Sequence, residues 1–288
     1  MAGVDGGPPP PVGSGARVLI DLNGVLEVAG SVVPGAPEVL EQLRSLGFAI
    51  TVFTNTTTQS RRRLAERMVQ MGLIVMPTEL HTAAEATARH LLSQCDGASV
   101  LLHGAGEPFA DHPNIAVSRV GDDLSGRLDA AVLGGADPDM TLGSFEVFFD
   151  QVRRRRLPLI AMHQNCLERR ADRFGFDSGV FAPFIAQVCD TEPMLVGKPS
   201  AAFFQSAVGS SAARTVMVVG DDLISDVAPA NALGYTSVLV TKTGKPVPHG
   251  ATERAAFEIE DVTSLLQVVA MWVASSSTPC SAVFAGRP

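Results

Sequence analysis

Cysteine is scarce in this chain and widely spread. The four present, Cys95, Cys166, Cys189 and Cys280, show neither close pairing nor metal-ligand spacing. A disulfide framework and a thiolate metal centre are therefore not expected, and free thiols in a reducing cytoplasm are the simplest expectation. Long apolar runs are also missing: none approaches the ~20 residues that span a bilayer, so no membrane partner is expected. Clustered positive charge is absent as well. The net charge is -8, and the one basic run, Arg153 to Arg156, closes an apparent helix, where it reads as a solvated helix end. Nucleic acid is not an expected partner, because neutralising phosphates needs grouped Lys and Arg. Residues 1–15 lack the apolar core of a signal peptide; their Pro and Gly content predicts a flexible tail, as the composition of 273–288 does at the other end.

What is present is a chain of 288 residues, 46% hydrophobic and 18% charged, long enough for one large or two modest cores. Its organising stretch is Arg17 to Leu26, RVLIDLNGVL. Aliphatic and β-branched residues up to Ile20 predict a strand buried on both faces of a parallel sheet. The run stops at Asp21, and Gly24 follows. A carboxylate at the carboxyl end of such a strand faces the crevice where open α/β sheets bind ligands. On this stretch alone, Asp21 reads either as a site residue or as a turn or cap residue.

The chain continues as alternating elements. A helix is expected over 34–46, stopped by Gly47; a strand over 48–53, ending in Thr54-Asn55; and a helix over 60–71, with Ser60 as N-cap and Gly72 as stop. From about Thr82 to Pro193 the alternation repeats: a helix over 83–94, strands over 99–104, 115–120, 130–134 and 158–163, and a helix ending at Arg156. Beyond it come Gly197-Lys198-Pro199, a helix from Ala201, a buried strand over 215–219 leading into Gly220-Asp221-Asp222-Leu223-Ile224-Ser225-Asp226, a last strand over 237–240, and a helix over 262–272. Strand–helix alternation with short links implies parallel strands and right-handed crossovers. The expected fold is thus α/β, a doubly wound, Rossmann-like core over 16–82 and 194–272, with a second α/β module over 83–193.

Three strand ends then carry reactive groups, Asp21, Thr54-Asn55 and Asp221-Asp222 with Asp226, and a parallel sheet brings all three to one edge. Carboxylates gathered there repel unless a cation sits among them. An oxygen-only donor set suits Mg²⁺. Thr54, Asn55 and Lys198 add donors and positive charge for an anion beside it. That layout is the one phosphoryl transfer needs, since positioning and charge neutralisation supply most of its rate.

These four motifs, in this order and with the long insertion between the second and third, resemble the haloacid dehalogenase-like hydrolase superfamily and, within it, the NagD-like subgroup with an inserted α/β cap. The resemblance covers residues 16–272. It implies an aspartyl-phosphate formed on Asp21, Mg²⁺ held by Asp21, the Asn23 carbonyl and Asp221, phosphoryl oxygens held by Thr54 and Asn55, and Lys198 offsetting the charge. Asp226 would orient water or Lys198, and Asp222 would either assist or be a surface residue. His163 and Asn165, in a cap loop, would face the site and set substrate choice, or lie in a solvated loop. A homodimer through the cap is also what the resemblance suggests.

Asn23 departs from the pattern, which places a second Asp there as general acid and base. An amide has no titrating proton. Substrates are therefore expected to be small phosphorylated compounds with undemanding leaving groups: pyrophosphate, phosphoramidates such as phosphohistidine and phospholysine, and aryl or acyl phosphates. The alternatives are a catalytically silent phosphate- or metal-binding protein, and a non-phosphate hydrolase such as a dehalogenase, which would not need the metal corner. The stretch Asp137 to Thr141 is expected to start a helix, capped by Thr141 or Asp137, and His103-Gly104-Ala105-Gly106 reads as a cap turn because the third glycine of a dinucleotide loop is missing at Phe109.

Overall fold

The computed structural model describes residues 15–136, 140–169, 174–209, 215–245 and 250–276. Chain order begins with β1 (Ala16–Asp21), a small hairpin of β2 (Glu27–Val28) and β3 (Ser31–Val32), α1 (Ala36–Ser45), β4 (Ala49–Thr54), α2 (Arg61–Gln70) and β5 (Leu80–Thr82). The insertion follows, with α3 (Ala83–Gln94), β6 (Ala98–His103), β7 (Ile115–Arg119), β8 (Ala130–Leu133), α4 (Leu142–Arg155), β9 (Leu159–Ala161), β10 (Leu167–Arg169), β11 (Phe174–Phe176), α5 (Phe181–Cys189) and β12 (Met194–Leu195). The chain then returns through α6 (Ala201–Val208), β13 (Thr215–Gly220), α7 (Ala228–Ala232), β14 (Thr236–Val240), β15 (Phe257–Ile259) and α8 (Leu265–Ser276).

The core sheet is wholly parallel, in the order β15-β14-β13-β1-β4-β5. β1 sits inside it because Val18, Leu19 and Ile20 are apolar on both faces, and all three are fully buried. Val18 and Ile20 pack under α1, α2 and α8, through Leu40, Leu64 and Val268 among others. Leu19 faces the opposite way with Phe53, against Phe203 and Phe204 of α6 and Ala230 of α7. Helices on both faces make the sheet doubly wound. Order reverses at β1, with β4 on one side and β13 on the other, so the crevice at its carboxyl edge is the expected ligand position.

The cap is a second parallel sheet, β12-β9-β8-β6-β7, with a β10–β11 antiparallel hairpin beside it. Val100, Leu102 and Val132 bury one face under Ala88 and Leu91 of α3. Leu101, Ala131 and Leu159 bury the other under Phe145, Phe148 and Val152 of α4 and Ile185 of α5. Thr141 caps α4, its Oγ1 accepting from Ser144 N at 3.1 Å, which satisfies one of the orphan donors of the first turn. Asp137, the other capping candidate, lies outside the described residues.

Several expectations need correction. The strand over 237–240 is not the last, because Phe257–Ile259 pairs beyond it as the sheet edge; three residues flanked by charge carry too little periodicity to be read as a strand. Met194–Leu195 pairs with β9, so the cap sheet reaches past residue 193. Val273 to Ser276 continue α8 rather than opening a tail. Residues 1–14 and 277–288 lie outside the described part, as does Cys280; Cys95, Cys166 and Cys189 are unbridged. Among the described residues no helix is long and apolar enough to cross a membrane.

Candidate active site

The parallel register brings the reactive strand ends together. Asp21, the last residue of β1, lies beside Phe53 of β4, so Thr54 is one step further along the same edge. On the other side Ile20 pairs with Val219, which brings Asp221 just past β13 level with that edge. They line one wall of a cavity of about 550 Å³; the cap loops after β8 and β9 supply the facing wall, with Gly135, Ala136, His163 and Asn165.

Lys198 is the hub. It is buried, its Nζ lies 2.7 Å from Asp226 Oδ1 and 3.0 Å from Asp21 Oδ1, and it stands 4.6 Å above the Phe53 ring. Burial works against its charge, but Asp21 and Asp226 outweigh burial and raise its pKa above the ordinary lysine value. Asp21 Oδ1 also accepts from the Leu22 N–H at 2.7 Å. That oxygen is tied twice. Asp226 is fully buried with both oxygens engaged, Oδ2 accepting from the Asp222 N–H at 3.2 Å. Burial lifts its carboxyl to about 6, with Lys198 opposing and Asp21 adding to the rise. Burial likewise raises Asp21 and Asp221, against the pull of Lys198 and Lys245 respectively.

Asp21, Asp221 and Asp226 each place a carboxylate oxygen within 4.8 Å of the other two. The three acids converge and their donors are all oxygens, so the residues fit a hard divalent cation such as Mg²⁺. Gly24 makes the corner possible. Its φ is +89°, and a Cβ there would stand 2.1 Å from Asp221 Oδ2, so any side chain would displace the carboxylate as well as strain the turn. Asn23 is exposed beside this corner, its Nδ2 donating weakly to Thr54 Oγ1 at 3.4 Å.

The Asn55 side chain is engaged with the protein itself. Its Oδ1 accepts from Lys198 N at 2.8 Å, and its Nδ2 donates to Lys198 O at 3.1 Å and to Asn165 Oδ1 at 3.0 Å. Both amide protons are spent on protein, so the side chain has none for a phosphoryl oxygen. It fixes the Lys198 backbone and ties it to the cap. Gly197 permits this approach, since a Cβ there would meet Asn55 Oδ1 at 2.6 Å. Thr54 Oγ1 bonds with the Thr56 hydroxyl at 2.9 Å, and Thr57 Oγ1 accepts from the cap's Gly135 N–H at 2.7 Å. His163 is buried against the cavity, with Nδ1 accepting from Asn165 N at 3.2 Å and Nε2 3.7 Å from Asp177 Oδ1. Burial lowers its pKa despite Asp177, which keeps the ring neutral.

Asp222 is no idle surface residue. Its Oδ1 accepts from Ile224 N and Ser225 N, at 2.8 and 2.9 Å, and its Oδ2 lies 2.6 Å from Lys245 Nζ. Lys245 and the bidentate Glu27–Arg67 pair, at 2.8 and 2.9 Å, line the cavity and were not anticipated. Lys245 had a signal: it follows a glycine in the loop after β14, as Lys198 follows Gly197. Glu27 and Arg67 had none, being forty residues apart with no motif around either.

The chain is similar to known proteins over most of its length. A family model described as haloacid dehalogenase-like hydrolase matches residues 18–112, and one described as HAD-hydrolase-like matches 195–265. The chain is 31% identical over 236 residues to haloacid dehalogenase-like hydrolase domain-containing protein 2 of Mus musculus, spanning 79% of this chain and 84% of that one. It is 25% identical over 262 residues to the phospholysine phosphohistidine inorganic pyrophosphate phosphatase of Danio rerio, covering 88% and 93%. Among solved structures, NagD from E. coli superposes with a TM-score of 0.69 at 23% identity, over 86% of this chain and 96% of that one.

Proposed function

The chain belongs to the haloacid dehalogenase-like hydrolase family, and from that premise we propose that it is a Mg²⁺-dependent phosphohydrolase working through an aspartyl-phosphate on Asp21. One observation carries the reading: Asp21, with Oδ1 held by Lys198 and the Leu22 N–H, lines a cavity together with Asp221. Asp21 and Asp221, with the Asn23 carbonyl, would hold the metal. When bound, Mg²⁺ would supply charge neutralisation for the phosphoryl oxygens and for the crowded acids.

The chain's own residues define the rest. Asp21 attacks phosphorus, the P–O or P–N bond to the leaving group breaks, and water then hydrolyses the acyl phosphate. Lys198 offsets the negative charge that builds on Asp21 and the phosphoryl group. Asp226 and the Asn55 side chain hold Lys198 in that place from two directions. Asn23 has no proton to hand to the leaving group, so the favoured substrates are those whose leaving groups depart unaided: pyrophosphate, phosphoramidates, aryl and acyl phosphates. The name of the Danio rerio relative supports anhydride and P–N substrates.

The test is a panel of p-nitrophenyl phosphate, pyrophosphate, a phosphoramidate and glycerol phosphate, each with Mg²⁺ and with EDTA. Turnover is expected for the first three, weak turnover for glycerol phosphate, and none under EDTA. A folded protein inert toward all four would support the silent binding protein that Asn23 also allows. Activity persisting under EDTA would refute metal dependence.

A further inference from the structure

Lys245 is a half-buried cation of the cavity, and the mechanism above gives it no task. Its side chain is 26% exposed, and its Nζ lies 2.6 Å from Asp222 Oδ2 and 3.6 Å from Asp221 Oδ1. Asp222 is itself anchored by two main-chain N–H groups, so it works as a fixed post that holds Lys245 within reach of Asp221.

The corner gathers four carboxyl groups, Asp21, Asp221, Asp222 and Asp226, around two lysines, Lys198 and Lys245. The acids outnumber the lysines by two. Without Lys245 the surplus would be three: a stronger trap for a cation and a worse host for an anion.

We propose that Lys245 sets the charge balance of the metal corner, weakening its hold on divalent cations and strengthening its hold on the phosphoryl dianion beside them. The proposal rests on the metal-dependent reading of the site. A unit charge a few ångströms from a ligand oxygen, screened as it is near a protein surface, changes ion binding by about tenfold or more. The two ligands should therefore respond in opposite directions to one substitution, which mere loosening of the loop would not produce.

The experiment uses the full chain, purified without metal. Calorimetric titration with Mn²⁺ needs no turnover, and Lys245→Met is expected to bind Mn²⁺ about tenfold more tightly than the parent. Inhibition by inorganic phosphate, measured at saturating Mg²⁺, should weaken by a similar factor, and Lys245→Arg should restore both toward the parent values. Lys245→Gln serves if the Met variant does not fold, judged by its melting profile. Equal or weaker Mn²⁺ binding in a folded variant, or both ligands shifting in the same direction, would overturn the proposal. If the parent itself binds no Mn²⁺, the metal-dependent reading falls and takes this one with it.

Discussion

Asn23→Asp is the substitution that isolates the leaving-group reasoning. The two side chains are isosteric, and Asn23 is exposed with a single long contact, Nδ2 to Thr54 Oγ1 at 3.4 Å. Losing a hydrogen bond of that kind costs at most about 0.5–1.5 kcal/mol, and the Thr54 hydroxyl can donate to the new carboxylate instead. Folding should therefore be almost unchanged, which leaves chemistry as the effect to be read. A positioned acid contributes roughly 10²–10⁴-fold when the departing oxygen must be protonated, and little when it leaves as a stable anion. The variant should gain by about that factor in kcat/KM toward alkyl phosphates such as glycerol phosphate, and by less than about tenfold toward p-nitrophenyl phosphate. One further carboxylate in an already acidic corner also raises the demand for Mg²⁺, so each rate is taken at saturating metal. Plotting log kcat/KM against leaving-group acidity for both proteins gives the answer as a slope: steep for the parent, shallow for the variant. Parallel lines would refute the idea that the missing proton sets substrate choice.

Three other outcomes follow from the geometry. Lys198→Met strands Asp21 and Asp226 as buried, unpaired acids; breaking a buried pair in this way costs about 3–5 kcal/mol, which urea unfolding will measure, and a loss under about 1 kcal/mol would contradict the hub role. Gly24→Ala drives a Cβ against Asp221 Oδ2 and strains a left-handed turn, so Mn²⁺ affinity should fall together with activity; unaltered Mn²⁺ titrations would count against the assigned corner. His81, buried beneath α6 with Nε2 2.9 Å from Ser206 Oγ, has its pKa lowered from 6.5 to about 4 by burial. A depressed histidine stays neutral in the folded chain while the unfolded chain takes up a proton. Stability is therefore complete above pH 6.5 and is lost as pH falls toward 4, by about 3 kcal/mol at most at about 1.36 kcal/mol per unit. His81→Leu should flatten that acid limb in denaturation measured from pH 4 to 7, and an unaltered slope would assign the limb to other groups.

Local chemistry alone made much of this protein legible. The both-face apolar run of β1, the Ser60 and Thr141 caps, and Asp21, Thr54, Lys198 and Asp221 at strand ends or tight turns all follow from short-range rules. Those rules act within a few residues, which is the distance over which side-chain periodicity and turn preferences operate. Tertiary structure alone decided the rest. It made the Asn55 side chain a brace of Lys198, paired Glu27 with Arg67, and placed Lys245 beside Asp222 and Asp221. It also made Phe257–Ile259 a strand, because an edge partner supplies hydrogen bonds that three residues do not advertise. These outcomes depend on register between distant strands and on burial, which set charge and hydrogen-bond partners across the cavity. Neither register nor burial is a property of any single stretch of chain.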